Sequence, residues 1–304
     1  MKRAFIFAIF VTFLIGCSGN GSTPIINTPV VPSQHLYVEN FFNGQTGQIY
    51  QYPLPLTSAA AAMPNFGFLG PGEIALALDL SGNLAANDTN GKVTFYPAPL
   101  SSASVSTAAF GSGPSGGQLV FTPAGDLFKA SRTDKVFAYT HPFTNASVPS
   151  TSISAAGLTI AGGVGLDAAA NLYVSNASSA NIYVFAPPYT GAPISTAVQA
   201  GKSYGYLAVS TTQLFVLDRS GATGSVDVFN LPLTTASVPA FTITSGIGLL
   251  PQGIALDNAG NLYIGAFQGV ITEYSAPYSA ASAPVVTVPA PSNFEISGAM
   301  AIGK

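Results

Sequence analysis

A repeated unit of about 45 residues constrains the fold of this 304-residue chain more than any other feature. Each copy carries a strand, a turn rich in Asp, Asn and Gly, and a leucine that opens the next strand, as in GIALDNAGNLYIGA (253–266). The leucines are 48, 43, 45, 42 and 48 residues apart, at Leu36, Leu84, Leu127, Leu172, Leu214 and Leu262. A fixed period of this length indicates one supersecondary unit per repeat.

Two further strands follow each marker leucine. One is short and aromatic, as in GVITEY (269–274), and the other ends an Ala/Ser/Thr/Pro-rich segment such as SAASAPVVTV (279–288). Proline is tolerated in an edge strand, so this last strand is expected at the outer edge. Four strands in each of six units predict an all-β fold, a six-bladed β-propeller with four-stranded antiparallel blades.

The two ends of the repeat array are incomplete in complementary ways. The first copy, QHLYVEN (34–40), lacks an inner strand, whereas SGAMAIGK (297–304) looks like an inner strand without partners and matches 252–257. We therefore expect the C-terminal strand to complete the first blade and close the ring. Closure removes the open strand edge that would otherwise favour aggregation.

The motif at 253–266, followed by GVITEY, resembles the NHL repeat and its relatives among six-bladed lactonase-like and streptogramin-lyase-like propellers. The resemblance covers residues 35–304 and implies the propeller fold. These propellers include receptors, scaffolds, hydrolases and lyases, so the resemblance does not imply one activity.

The N-terminal segment has the layout of a secretory signal peptide. Lys2 and Arg3 precede thirteen uncharged residues (4–16), too few for a membrane span of roughly 20 residues. Leu14-Ile15-Gly16-Cys17 resembles the bacterial lipoprotein signal. We expect a signal peptide at 1–16, lipidated Cys17 and a flexible tether at 17–33, and the propeller at 34–304.

The lipoprotein resemblance implies cleavage after Gly16 and acylation of Cys17, and two or more acyl chains anchor a protein stably. Ser18 follows instead of the Asp that retains such proteins in the inner membrane, so an outer-membrane or cell-surface location is expected. The alternative is a chance cysteine in a segment that is cut off or left as an anchor. Cys17 is the only cysteine, which excludes an intramolecular disulfide.

Charge excludes one class of partner. Only 7% of the residues are charged, nine are Lys or Arg, and the net charge is −3, which argues against nucleic acid because its binding depends on neutralising phosphates. The expected partners are the membrane, through the lipid anchor, and a protein, small-molecule or glycan ligand at one propeller face. The domain is expected to be a monomer.

Aspartates recur in the turns that follow the inner strands, at Asp79, Asp167 and Asp257. They could line a cation site, but an Asp in this position usually caps its own turn. The aromatic residues of the middle strands could stack on sugars, but their recurrence in every blade favours packing between blades.

The sequence contains no cluster that indicates catalysis. The two histidines lack a surrounding triad or zinc motif, so no catalytic residue, metal or other cofactor is assigned. The favoured function is a lipid-anchored binding or scaffolding module. The alternative is a Ca²⁺-dependent lactonase or related hydrolase, because six-bladed lactonases hold Ca²⁺ over the channel with oxygen ligands. Its candidate ligands are Glu39, Glu73, Asp88, Asn176 and Asp218.

Overall fold

The computed structural model describes residues 34–40, 48–60, 63–67, 73–111, 113, 116–221, 223–289, 295–296, 298 and 300–303, without the side chains of 63–67, 73 and 74. The predicted signal peptide, Cys17 and tether lie outside these residues. Within them, no helix is long and apolar enough to cross a membrane.

The described residues form 24 strands in six sheets of four, one sheet per blade. In chain order, the strands are β1 (His35–Asn40), β2 (Gln48–Pro53) and β3 (Met63–Gly67); β4 (Glu73–Leu78), β5 (Leu84–Asp88), β6 (Val93–Tyr96) and β7 (Ala108–Phe110); β8 (Leu119–Phe121), β9 (Leu127–Ala130), β10 (Val136–Tyr139) and β11 (Thr151–Ile153); β12 (Ala161–Leu166), β13 (Leu172–Asn176), β14 (Asn181–Phe185) and β15 (Ser195–Val198); β16 (Tyr204–Val209), β17 (Gln213–Asp218), β18 (Ser225–Asn230) and β19 (Phe241–Ile243); β20 (Pro251–Leu256), β21 (Leu262–Ala266), β22 (Ile271–Tyr274) and β23 (Val286–Val288); and β24 (Met300–Gly303).

Every blade is an antiparallel meander, and the ring closes as predicted. Blades 2 to 6 take four consecutive strands each, starting with β4, β8, β12, β16 and β20 as the inner strands, whereas blade 1 has the order β24-β1-β2-β3. Its inner pair is antiparallel, with Leu36 opposite Ile302 and Val38 opposite Met300. Neighbouring inner strands contact one another around the ring, including β20 with β24 and β24 with β4. The all-β six-bladed propeller is therefore confirmed.

Three of the turns after the inner strands, those at Asp79, Asp167 and Asp257, are Asx turns, as predicted. Asp167 shows the arrangement: Oδ1 accepts the backbone N–H groups of Ala169 and Asn171 at 2.9 and 2.8 Å, and Oδ2 accepts the Asn171 amide at 2.8 Å. Asp79 and Asp257 make the same three bonds within their own turns. Each carboxylate thus satisfies donors that the reversing backbone would otherwise leave unpaired.

The core consists of aromatic and aliphatic side chains packed between adjacent blades. Most of the aromatic residues predicted for inter-blade packing are buried, and those with less than 2% exposure include Tyr52, Tyr96, Tyr139, Tyr173, Tyr183, Tyr263 and Tyr274. Tyr173 and Tyr263 also donate their hydroxyls to Asp167 and Asp257, each at 3.0 Å. The tyrosines therefore fill the inter-blade space and, in two blades, secure an Asx turn.

The connection from the third to the fourth strand carries a feature that the sequence did not reveal. In every blade a cis X–Pro bond follows the third strand, at Leu54-Pro55, Ala98-Pro99, His141-Pro142, Pro187-Pro188, Leu231-Pro232 and Ala276-Pro277. In four blades a Ser or Thr two residues after the proline then starts a turn, and its N–H bonds to a serine hydroxyl three residues later: Ser101, Thr144, Thr234 and Ser279.

Candidate functional site

The six inner strands surround a central channel with two different mouths. Because every blade repeats the same meander, the turns from first to second strand all lie on one face, and the turns from second to third strand lie on the other. We call the first the funnel face, which carries the turns that begin at Asp79, Asp167 and Asp257. The second is the arginine face, which carries Arg132 and Arg219.

A cavity of about 540 Å³ opens on the funnel face. Its floor is formed by the apolar side chains that end the inner strands, and its rim by the turns that follow them. The lining residues of the floor are Leu78, Phe121, Leu166, Val209 and Leu256. A concave, mainly apolar wall with few polar groups is the usual character of a small-molecule site.

Three carboxylates, those of Asp79, Asp167 and Asp257, stand on the rim of this cavity. Hydrogen bonds inside their own turns fix the orientation of each group. A carboxylate has about four acceptor positions, so turn capping does not exhaust them. The rim therefore presents negative charge in fixed positions next to an apolar floor.

Among the described residues, the basic side chains lie on one face of the ring, whereas acidic side chains lie on both. The Lys and Arg residues in the described part of the chain all lie at or next to the connections of the arginine face: Lys92, Lys129, Arg132, Lys135, Lys202 and Arg219. The connections of the funnel face carry Asp79, Asp126, Asp167 and Asp257. A mouth lined by one sign of charge attracts counter-ions and repels like charges. The funnel thus favours cationic over anionic ligands.

Inside the channel, one side chain joins three blades. Gln118 lies next to β8 of blade 3, and its Oε1 accepts the backbone N–H groups of Val164 in blade 4 and Leu207 in blade 5, at 3.1 and 3.0 Å. Its Nε2 donates to the Leu207 carbonyl at 2.7 Å. The channel is otherwise lined by small or apolar residues, among them Ala77, Val120, Gly165, Ala208, Ala255 and Ala301.

Two arginines and a tyrosine meet on the arginine face. The guanidinium of Arg219 donates to the carbonyls of Pro251 and Gln252 at 3.0 and 3.3 Å and lies 5.7 Å from the centre of the Tyr206 ring. Arg132, from the equivalent turn of blade 3, donates a hydrogen bond to the Tyr206 hydroxyl. Burial lowers the pKa of Arg219, and the nearby charge of Arg132 lowers it further.

Glu39 adds one negative charge to this region. Its side chain is fully buried, and its charge acts on Tyr206, whose pKa is raised chiefly by burial, with Arg132 and Arg219 opposing the rise. The ion pairs among the described side chains are those of Lys202 with Asp218 and Asp227.

The other candidate calcium ligands lie on the arginine face at the ends of second strands. Asp88 accepts the N–H groups of Asn90 and Lys92, and Asp218 accepts those of Ser203 and Ser220. Asn176 accepts the N–H of Ile160. Asp88 and Asp218 thus each cap the turn that follows their own strand.

Glu73 pairs through its backbone with Asp88, but its side chain lies outside the described part of the chain. Among the described residues, no three His, Cys, Asp or Glu side chains come together as a metal-binding group.

A buried lysine lies beside one of these turns. Lys129, 1% exposed, donates from Nζ to the carbonyl of Gly91 in the neighbouring blade. Burial lowers the pKa of Lys129 to about 8, although the charge of Asp88 opposes the shift. This contact joins blades 2 and 3.

Gln118, Arg132, Arg219 and Tyr206 are site residues that were not predicted from the sequence. The sequence did contain one signal for the two arginines. Each lies five residues after the marker leucine of its repeat, Arg132 after Leu127 and Arg219 after Leu214. Aligning the repeats by position would have shown that two alternate blades carry a long cation there. Gln118 had no comparable signal.

No family model and no curated protein sequence matches the chain. Solved structures with the same fold include a "putative 6-phosphogluconolactonase" from Bacteroides uniformis, with a TM-score of 0.62, 14% identity, and coverage of 84% of this chain and 83% of that chain. A Bacteroides caccae protein of unknown function has a TM-score of 0.62 and 11% identity over 89% of this chain and 98% of its own.

The β-propeller domain of Cps50 (Swd1) from Myceliophteria thermophila has a TM-score of 0.61 and 10% identity, covering 84% of each chain. At identities this low, the likeness establishes the fold alone. The described domain is thus a β-propeller, a fold that hosts many unrelated functions.

Proposed function

We propose that this protein is a binding module of the bacterial cell envelope, anchored by lipid on Cys17, which takes a small ligand in the funnel. The observation that carries the proposal is the cavity of about 540 Å³, with an apolar floor and three carboxylates on its rim. The concave apolar floor is suited to binding a ligand. The hydrogen bonds of the rim carboxylates lie mainly within their own turns.

The chemistry of the funnel defines the class of ligand. An apolar floor formed by side chains such as Leu166 and Leu256 gains free energy by covering apolar surface, at about 25 cal/mol per Å². The rim carboxylates of Asp167 and Asp257 add attraction for a cation. The proposed ligand is therefore a small molecule with an apolar body and a positively charged group.

A matched pair of probes tests this site. One is a naphthalene carrying a trimethylammonium group, and the other is a naphthalene sulfonate of similar size. We expect saturation-transfer NMR to show binding of the ammonium probe and weaker or no binding of the sulfonate. Equal binding of both probes would contradict the assigned charge preference.

Two variants locate the site. Leu166→Trp should fill the funnel floor and abolish ammonium binding, whereas Val238→Trp, at a position 67% exposed on the outer part of the same face, should not. Asp167→Asn retains a side-chain oxygen for the Asx turn and should weaken ammonium binding selectively. Retained binding in the Leu166→Trp variant would place the ligand elsewhere.

The anchor is tested separately, in cells. Wild type should partition into the detergent phase, and Cys17→Ala should move the protein to the aqueous phase, because the acyl chains can no longer be attached. Unchanged partition of Cys17→Ala would contradict the anchor and leave the funnel proposal standing.

A calcium titration tests the lactonase alternative and its ligands Glu39, Glu73, Asp88, Asn176 and Asp218. A ligand at 100 times its Kd stabilises the folded state by about 2.7 kcal/mol, which thermal unfolding detects readily. No stabilisation across millimolar Ca²⁺ would contradict this alternative.

A further inference from the structure

We propose that Arg132 and Arg219 form an oxyanion-binding site on the arginine face, at the end of the channel opposite the funnel. The site would take a phosphate or carboxylate group of a small soluble molecule. It is independent of the funnel and of the lipid anchor.

The two guanidinium groups are held in place by the fold. Backbone carbonyls of Pro251 and Gln252, at the start of the inner strand of blade 6, accept two hydrogen bonds from Arg219. Tyr206 lies under the Arg219 guanidinium and accepts a hydrogen bond from Arg132. Both groups are therefore oriented before any ligand arrives, which lowers the entropic cost of binding.

Arg132 has an unusual backbone conformation. Its φ is +52°, in the left-handed region that long side chains rarely adopt, while its N–H donates to the Ala161 carbonyl of the next blade at 3.0 Å. Such a conformation costs of order 1–3 kcal/mol and is found preferentially at functional sites. Here it accompanies a side chain that reaches Tyr206, a residue of another blade.

The pair has unbalanced charge. Arg132 and Arg219 lie close enough for the two positive charges to repel each other, and this repulsion contributes to the lowered pKa of Arg219. Glu39 contributes one negative charge to the region, which leaves a net charge of +1 for the three groups. An anion between the guanidiniums would replace repulsion with attraction.

The donors match an oxyanion. Two guanidinium groups carry ten N–H donors, and the three hydrogen bonds to Pro251, Gln252 and Tyr206 leave most of them without an acceptor among the described residues. Arginine pairs with phosphate and carboxylate through parallel hydrogen bonds in a fixed geometry. Arg132 is exposed and Arg219 is partly buried, so the site is open to solvent.

Inorganic phosphate is the probe. At constant ionic strength, which keeps non-specific screening equal, phosphate should raise the Tm of the wild type by about 3 °C relative to chloride. The ³¹P NMR signal of phosphate should broaden in the presence of the protein. Absence of both effects in the wild type would overturn the proposal.

Arg132→Gln is the test variant, and Lys135→Gln is its control, because Lys135 is an exposed cation in the same turn and the change in net charge is the same. We expect Arg132→Gln to lose the ³¹P broadening and the Tm response, and Lys135→Gln to retain both. Equal responses in the two variants would show a general charge effect and overturn the site. In phosphate-free buffer, a Tm of Arg132→Gln at or above the wild-type value verifies folding.

Discussion

Gln118 pairs with Leu207 through both ends of its side-chain amide: Nε2 donates to the Leu207 carbonyl at 2.7 Å, and Oε1 accepts the Leu207 N–H at 3.0 Å. The side chain thus supplies the two hydrogen bonds that a neighbouring strand would otherwise make. Because Oε1 also accepts the N–H of Val164, one amide connects the inner strands of blades 4 and 5 to blade 3.

Removal of this amide should destabilise the ring. In Gln118→Ala, two backbone N–H groups and one carbonyl lose their partner, so we expect a loss of about 1–3 kcal/mol in the free energy of unfolding. Gln199→Ala is the control, because Gln199 is also partly buried but makes one side-chain hydrogen bond, to Ser237. Chemical denaturation measures the free energy of unfolding of both variants. An equal loss in Gln118→Ala and Gln199→Ala would contradict the bridging role of Gln118.

Because the C-terminal strand closes the ring, its deletion should destabilise the protein, and a peptide that replaces the strand should restore stability. Deletion of 299–304 removes β24 and exposes the edge of β1, so the Tm should fall by more than about 10 °C and aggregation should increase. A synthetic peptide with the sequence 296–304 should restore much of the Tm by strand addition. A scrambled peptide should not, and an unchanged Tm of the truncated protein would contradict closure.

Lys202 balances two buried carboxylates, with Nζ 2.9 Å from Asp218 and 3.1 Å from Asp227. Lys202→Met leaves these charges without their cation, so unfolding should become easier by about 3 kcal/mol at pH 7. Lys202→Arg keeps the positive charge, so its free energy of unfolding should fall much less.

The Lys202→Met effect should also depend on pH. Burial raises the pKa of Asp218, but hydrogen bonds from Lys202, Ser203 and Ser220 outweigh burial and lower it overall. A lowered carboxyl pKa stabilises the fold above the unfolded value, near 3.8, and the effect disappears as pH falls through the folded value. The difference between wild type and Lys202→Met should therefore shrink toward pH 3; a difference that does not change with pH argues against the ion pairs.

Glu273 predicts the opposite pH dependence. Burial, and then the charge of Asp257, raises the pKa of Glu273, although hydrogen bonds from the Leu56 backbone and Tyr263 oppose the rise. Among the described residues, its Oε2 has no hydrogen-bond partner. A raised carboxyl pKa stabilises the fold below the unfolded value, near 4.5, and this stability is lost as pH rises through the folded value.

Glu273→Gln should accordingly raise the Tm at pH 8 by about 2–4 °C and by less at pH 4. Asp134→Asn, at an exposed position on the other face, should show no such difference. A Glu273→Gln variant that is less stable than wild type at pH 8 would contradict the assigned environment.

The sequence predicted what the repeats share. The leucine spacing led to six blades, the incomplete ends led to the pairing of β1 with β24, and the repeated aspartates led to Asx turns. Each of these depends on residues close together in sequence or on equivalent positions in every blade.

The candidate sites could not be predicted in the same way, because they depend on departures from the repeat. Gln118 and Leu207 are 89 residues apart, and nothing local shows that their blades meet across the channel. Arg132 and Arg219 gain significance only when the ring places them near Tyr206. The funnel likewise results from side chains of several blades that converge at one mouth.

Closure of the first blade also affects how the protein is made. Leu36 leaves the ribosome 266 residues before its partner Ile302. At about 5–20 residues per second, β1 therefore waits roughly 13–50 s for the strand that completes its sheet. Every nascent chain that stops short of Met300 carries an unpaired β1 edge, so premature termination yields products that a chaperone or protease must handle.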